Sequence, residues 1–184
     1  DEWETLPALD VDNDPSDVIR LLFSCCHPDI SEDGQTALML RLLCGFSVRE
    51  VAHAFLVDAR AMEQRLVRAK RTLAHEGRLF PVTTPAEARE RLPAVLAALY
   101  LMFDGGYHGP LSAAPTRADV CDEATYLTGV LLDARATATP EVHALLALMC
   151  LHAARLPARV DPGGALVPLD RQDRAKWNRP LIER

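Results

Sequence analysis

Between Asp58 and Leu73 the apolar residues Met62, Leu66, Ala69 and Leu73 recur at i, i+4, i+7 and i+11, and Arg60, Glu63, Gln64, Arg68 and Arg71 fill the other faces. That spacing requires a helix with one buried stripe. Just before it, Ser47 can cap a short helix whose Val51, Ala52 and Phe55 face inward, and a brief turn at Leu56 and Val57 ends on Asp58, which can cap the next helix. The pattern predicts helices over 48–55 and 59–73 in a helix-turn-helix arrangement. The second helix of such a pair can enter a DNA major groove, with amino-terminal side chains on base edges and basic ones on phosphates. Arginine is the usual bidentate reader of guanine, and glutamine of adenine. The same succession of helices also occurs in proteins that never touch DNA, where an arginine-rich face is simply solvated.

Helical signals continue along the rest of the chain. Asp14, Pro15 and Asp17 form a helix start, Val18, Leu21, Leu22 and Cys25 continue it, and Pro28 stops it. A second start at Ser31 leads into a stretch where Leu38 and Leu42 recur at helical spacing and Gly45 offers a left-handed cap. The prolines and threonines of "RLFPVTTPAEAR" read as a linker over 78–85. Beyond it, 86–103 is a long amphipathic helix in which Pro93 makes a kink or marks the first turn, and "FDGGYHGP" ends it. Helices over 117–136 and 140–156 are joined by the turn "TATP", as in an antiparallel helix hairpin. The tail has a turn at Pro162 to Gly164, one short strand, and a polar helix or loop. The expected fold class is all-α: an acidic linker over 1–13, a helix-turn-helix domain over 14–77, the linker, and a helical-hairpin domain over 86–184.

The net charge of −6 over 184 residues argues against a nucleic-acid binder only until the charges are placed. The amino end is acidic, whereas Arg60, Arg65, Arg68, Lys70, Arg71 and Arg78 stand against only Glu63 and Glu76. A localised polyanion footprint follows. No apolar run approaches the roughly 20 residues that span a bilayer, and the acidic first residues are unlike a secretory signal, so the expected address is cytoplasmic. A first residue of Asp suggests a piece of something longer. Five cysteines without CxxC pairs read as reduced thiols.

Three stretches invite a chemical reading. Cys25, Cys26 and His27 are possible metal ligands, but adjacent helical residues point about 100° apart and a fourth ligand is missing, so packing is the better account. "FDGGYHG" fits neither phosphate-loop pattern and has no strand before it. Asp170, Gln172, Asp173, Arg174 and Trp177 lie close together in sequence. With no nucleophile or cofactor motif beside them, they read as a regulatory polar cluster, a lock holding the tail on the hairpin. His143 and His152 read as helix-face residues. No catalytic residue, metal or cofactor is expected, and the chain is not read as an enzyme.

The segments "LLFSCCHP", "ALMLRLLCGFSVREVAHAFLVDARAMEQRLVRAKRTL" and "RLPAVLAALYLMFDGGY" together resemble region 4 of the extracytoplasmic-function sigma factors of bacterial RNA polymerase. The group in question bears a C-terminal helical extension related to tetratricopeptide repeats, and "PEVHALLALMCLHAARLPAR" and "LDRQDRAKW" extend the likeness over nearly the whole chain. The resemblance implies recognition of the promoter −35 element and docking on the β-subunit flap of the polymerase core. It implies DNA-facing roles for Arg60, Glu63, Gln64, Arg65 and Arg68, with Arg49 and Arg71 on phosphates. Two departures stand out: Leu56 occupies a turn position where many members have glycine, and Glu63 one where they often have a base. An acid there repels phosphates but can accept from cytosine N4. The family's region 2 has no counterpart here. The extension would regulate the factor by contacting its own DNA-binding part, the polymerase or a ligand. The alternative is a helical protein-interaction or small-molecule-binding regulator without DNA contact.

Overall fold

The structure, a computed structural model, describes residues 21–75, 84–108 and 116–184. The expected helix start at Asp14, the acidic linker 1–13, Arg78 and the linker residues 78–83 lie outside the described residues. Among the described residues the fold is all-α, and the one β feature is an isolated bridge between Val160 and Leu166.

Residues 21–24 are helical, and the chain then bends through Cys25 to Ile30 into α1, Glu32–Leu42. Ser31 caps α1 by accepting from Gly34 N–H, and Glu32 and Asp33 sit at the positive end of its dipole. Gly45, at φ +69°, lets the chain reverse after α1, with Phe46 N–H donating back to Leu40 C=O (3.0 Å). Helix α2, Val48–Ala54, opens with a capping box: Glu50 N–H donates to Ser47 Oγ, and Ser47 N–H donates to the Glu50 carboxylate (2.7 Å).

The turn into α3 contains Leu56 at φ +53°, the one non-glycine residue with positive φ among the described residues. Its side chain is 89% exposed. A left-handed conformation costs an L-residue about 1–2 kcal/mol, and here no burial offsets it. Leu56→Gly is therefore expected to stabilise the fold by roughly 0.5–1 kcal/mol after the extra flexibility of unfolded glycine is subtracted, as read from urea unfolding.

Helix α3, Ala59–His75, starts on Asp58, whose Oδ1 accepts from Arg60 N–H (2.8 Å). Its buried stripe of Met62, Leu66 and Ala69 packs against α1 and α2. Helix α4, Pro85–His108, opens with a second capping box between Thr84 and Glu87. It runs through Pro93, which faces solvent well inside the helix. It also runs through the glycine pair that was expected to end it. The glycines serve a close approach instead. A Cβ at Gly105 would stand 2.8 Å from the Phe46 ring, and one at Gly106 would stand 2.9 Å from Arg117 C=O and 3.0 Å from Cys121 Sγ.

Helix α5, Ala118–Val130, is shorter than the expected 117–136. The chain leaves it in turns because buried Thr137 Oγ donates back to Leu131 C=O and Ala134 C=O, closing a compact loop before α6, Pro140–Ala153. After α6 come the short α7, Leu156–Arg159, two 3-10 turns, and α8, Arg179–Glu183. Helix α4 is central: α1 and α2 pack along one part of it, and α5 and α6 along another. One apolar cluster runs from Leu22 through Leu38, Val51 and Leu66 to Leu99, Cys121 and Met149.

The Cys-Cys-His-Pro stretch belongs to this core. Burial pushes the Cys25 and Cys26 thiols up to about 12, and Cys44 likewise. His27 is also buried; its C=O accepts from Gln35 Nε2 (2.9 Å), and its Nδ1 accepts from Asp29 N–H (3.1 Å). Thiols so far from the thiolate form are poor nucleophiles. Iodoacetamide at mildly alkaline pH should leave these three unmodified in the native protein and alkylate them after denaturation, as mass spectrometry would show.

Candidate nucleic-acid interface

Because Met62, Leu66 and Ala69 turn inward, the opposite face of α3 must point outward. Arg60, Glu63, Gln64, Arg68 and Arg71 are all exposed, and with half-buried Val67 they line a shallow open trough along the helix. Three guanidinium groups against one carboxylate make this trough electropositive. Its Gln64 presents a donor and an acceptor together, and Val67 supplies an apolar floor. Val67 was missed from the sequence because it sits off the buried stripe and carries no charge. Arg49 is exposed on α2.

Arg65 is placed differently from its neighbours. It is half-buried on the flank of α3, pairs with Asp33 of α1 (3.2 Å) and holds its guanidinium 5.7 Å from the Phe55 ring centre. Asp33 thereby ties the amino end of α1 to the middle of α3. A second depression lies on that flank, lined by Ser31, Asp33, Arg65, Arg68 and Thr72. Arg68 borders both depressions.

The polar residues of the tail are only partly brought together. Gln172 is buried, accepting from Arg155 Nε (3.3 Å) and donating to Val167 C=O (2.9 Å). Arg155 and Arg174 lie 6.0 and 5.6 Å from the Trp177 ring centre, and Asp173 caps a 3-10 turn through Ala175 N–H. Asp170 is exposed on the surface. Asn178 N–H donates to Ala154 C=O (2.8 Å), so the tail is fastened to the end of α6. Nearby, Arg159 lies 3.8 Å over the Tyr107 ring and donates to Tyr107 C=O (3.2 Å). Burial, then Arg155 and Arg159, hold His152 below the usual imidazole range. Among the described residues no group of three or more His, Cys, Asp or Glu is placed to hold a metal ion.

The carboxy-terminal half, residues 91–184, matches the model of a family of unknown function, DUF6596, and the chain belongs to that family. It is also similar to an uncharacterized protein, R00370, of Rhizobium meliloti (strain 1021), with 42% identity over 181 residues. That alignment takes in 98% of this chain and 43% of the relative, so the chain spans less than half of the relative's length. No solved structure matches the chain. No helix among the described residues is long and apolar enough to cross a membrane.

Proposed function

We propose that this chain is the promoter-reading part of a bacterial transcription initiation factor, a sigma factor's region 4 followed by a helical, tetratricopeptide-like extension. In this reading α2, the Leu56 turn and α3 form a helix-turn-helix, and α3 enters the major groove at a −35 element. The observation that carries the reading is the row of exposed Arg60, Gln64, Arg68 and Arg71 on the face of α3 opposite its buried stripe. Arginine and glutamine on one solvent face at helical spacing are what base edges and phosphates require. Arg49 stands on the neighbouring helix as a phosphate contact. Asp33 restrains Arg65, which therefore serves the edge of the interface rather than its centre. The factor docks on the β-subunit flap of the polymerase core.

The test is selection from a randomised duplex library by the full chain, with and without polymerase core, followed by affinity against salt. A DNA reader enriches a defined sequence, and log K falls steeply with log salt. A second reading, a helical protein-interaction module, draws on α6, whose Ala144, Ala147, Leu148 and Leu151 face solvent. Under that reading no sequence is enriched, and partner affinity barely responds to salt.

A further inference from the structure

We propose that Arg117 is a positioning residue for the groove-reading helix, locking the α2–α3 pair to the end of the long helix α4 without touching DNA. The proposal rests on the DNA-binding reading above. Arg117 joins three elements. Its backbone N–H donates to Gly106 C=O (2.7 Å) in the last turn of α4, and its own C=O oxygen would stand only 2.9 Å from a Cβ on Gly106. It also stands at the N-cap position of α5. Its guanidinium reaches 3.5 Å from Glu50 Oε1, and Asp119 stands on its other side at 3.9 Å.

Glu50 is the reciprocal member of the α2 capping box, so the carboxylate that Arg117 holds is the one that accepts from Ser47 N–H. Partial burial raises the Glu50 carboxyl, but the hydrogen bonds with Ser47 and the charge of Arg117 outweigh it and hold the group below the usual carboxylate range. Phe46, directly before the capping box, seats in the notch left by Gly105 on α4. The start of α2 is therefore held at two points, one apolar on α4 itself and one ionic through Arg117, whose backbone is bonded to the last turn of α4. Because α2 ends in the turn that launches α3, an error in the seat of α2 becomes an error in the angle at which α3 meets a groove. Small displacements of an orienting element suffice to change affinity at a distance. Glu50 and Arg117 are 67 positions apart in sequence, and no local pattern links them.

The experiment uses the full chain and the duplex recovered by selection on it. Arg117→Ala should weaken binding roughly fivefold while leaving the slope of log K against log salt unchanged, because no phosphate contact is lost. Arg117→Lys, which keeps the charge, should recover most of the affinity. Glu50→Gln should match Arg117→Ala, and the double variant should be no worse than either. Hydrogen exchange at the amides of 47–51 should quicken in Arg117→Ala and not in an Asp119→Ala control. A salt slope reduced by about one unit would make Arg117 a phosphate contact and overturn the proposal. Unchanged affinity together with unchanged exchange would overturn it as well. If the unmodified chain selects no duplex, the DNA-binding reading falls and this inference falls with it; the exchange arm then reports only whether the Arg117–Glu50 tie holds α2.

Discussion

Gly106→Val destabilises the protein by about 3 kcal/mol, the larger end of what overpacking a well-filled site costs. The new side chain meets Arg117 C=O at 2.9 Å and Cys121 Sγ and Val120 Cβ at 3.0 Å, and a carbonyl held by the start of α5 cannot swing aside as a flexible side chain would. Glycine is unfavourable inside a helix by about 1 kcal/mol, so a substitution that fitted would stabilise. Gly129 supplies the control. Its nearest neighbour to an added Cβ is the flexible end of Arg184 at 3.5 Å, and Gly129→Ala should be neutral or slightly stabilising. Urea unfolding of both variants, read by far-UV circular dichroism, checks the contrast. Equal midpoints would mean that α5 can withdraw from α4 at little cost.

Arg68→Ala lowers duplex affinity by about 1–3 kcal/mol if the guanidinium reads a base, the largest loss expected of any single charge on α3. Arg68 borders both depressions and has no acidic partner among the described residues, whereas Arg65 already spends its charge on Asp33. Arg65→Ala should therefore cost less than Arg68→Ala. The two variants separate further by sequence: a base reader relaxes preference at one position of the selected duplex, and a phosphate contact weakens all duplexes alike. Fluorescence anisotropy on the selected duplex and on single-base variants measures both. Equal, negligible losses for Arg60, Gln64, Arg68 and Arg71 would remove the groove-reading assignment of α3.

Much of the helical architecture is legible from local signals. Ser31, Ser47 and Asp58 announce three helix starts because a short side-chain acceptor does the same work in sequence and in structure. The stripe of Met62, Leu66 and Ala69 fixes which face of α3 is outward, and hence which arginines meet solvent. What fails to show is whatever depends on a distant neighbour. Gly105 and Gly106 read as a helix end by propensity, yet they persist inside α4 because Phe46 and Arg117 come too close for a Cβ. Helix α5 stops early because Thr137, beyond its end, captures the Leu131 carbonyl. The Asp33–Arg65 and Glu50–Arg117 pairs bring together charges that no periodicity connects.

The unbroken apolar cluster has a practical consequence for anyone dividing this polypeptide. Severing the chain between positions 75 and 84 would part α4 from α1 and open the apolar cluster they share, and the severed amino-terminal piece would display a greasy flank. Such fragments would clump, since bare apolar patches of that kind drive association. An amino-terminal fragment that failed to bind a duplex would then report on solubility rather than on the proposed regulatory role of the missing helices.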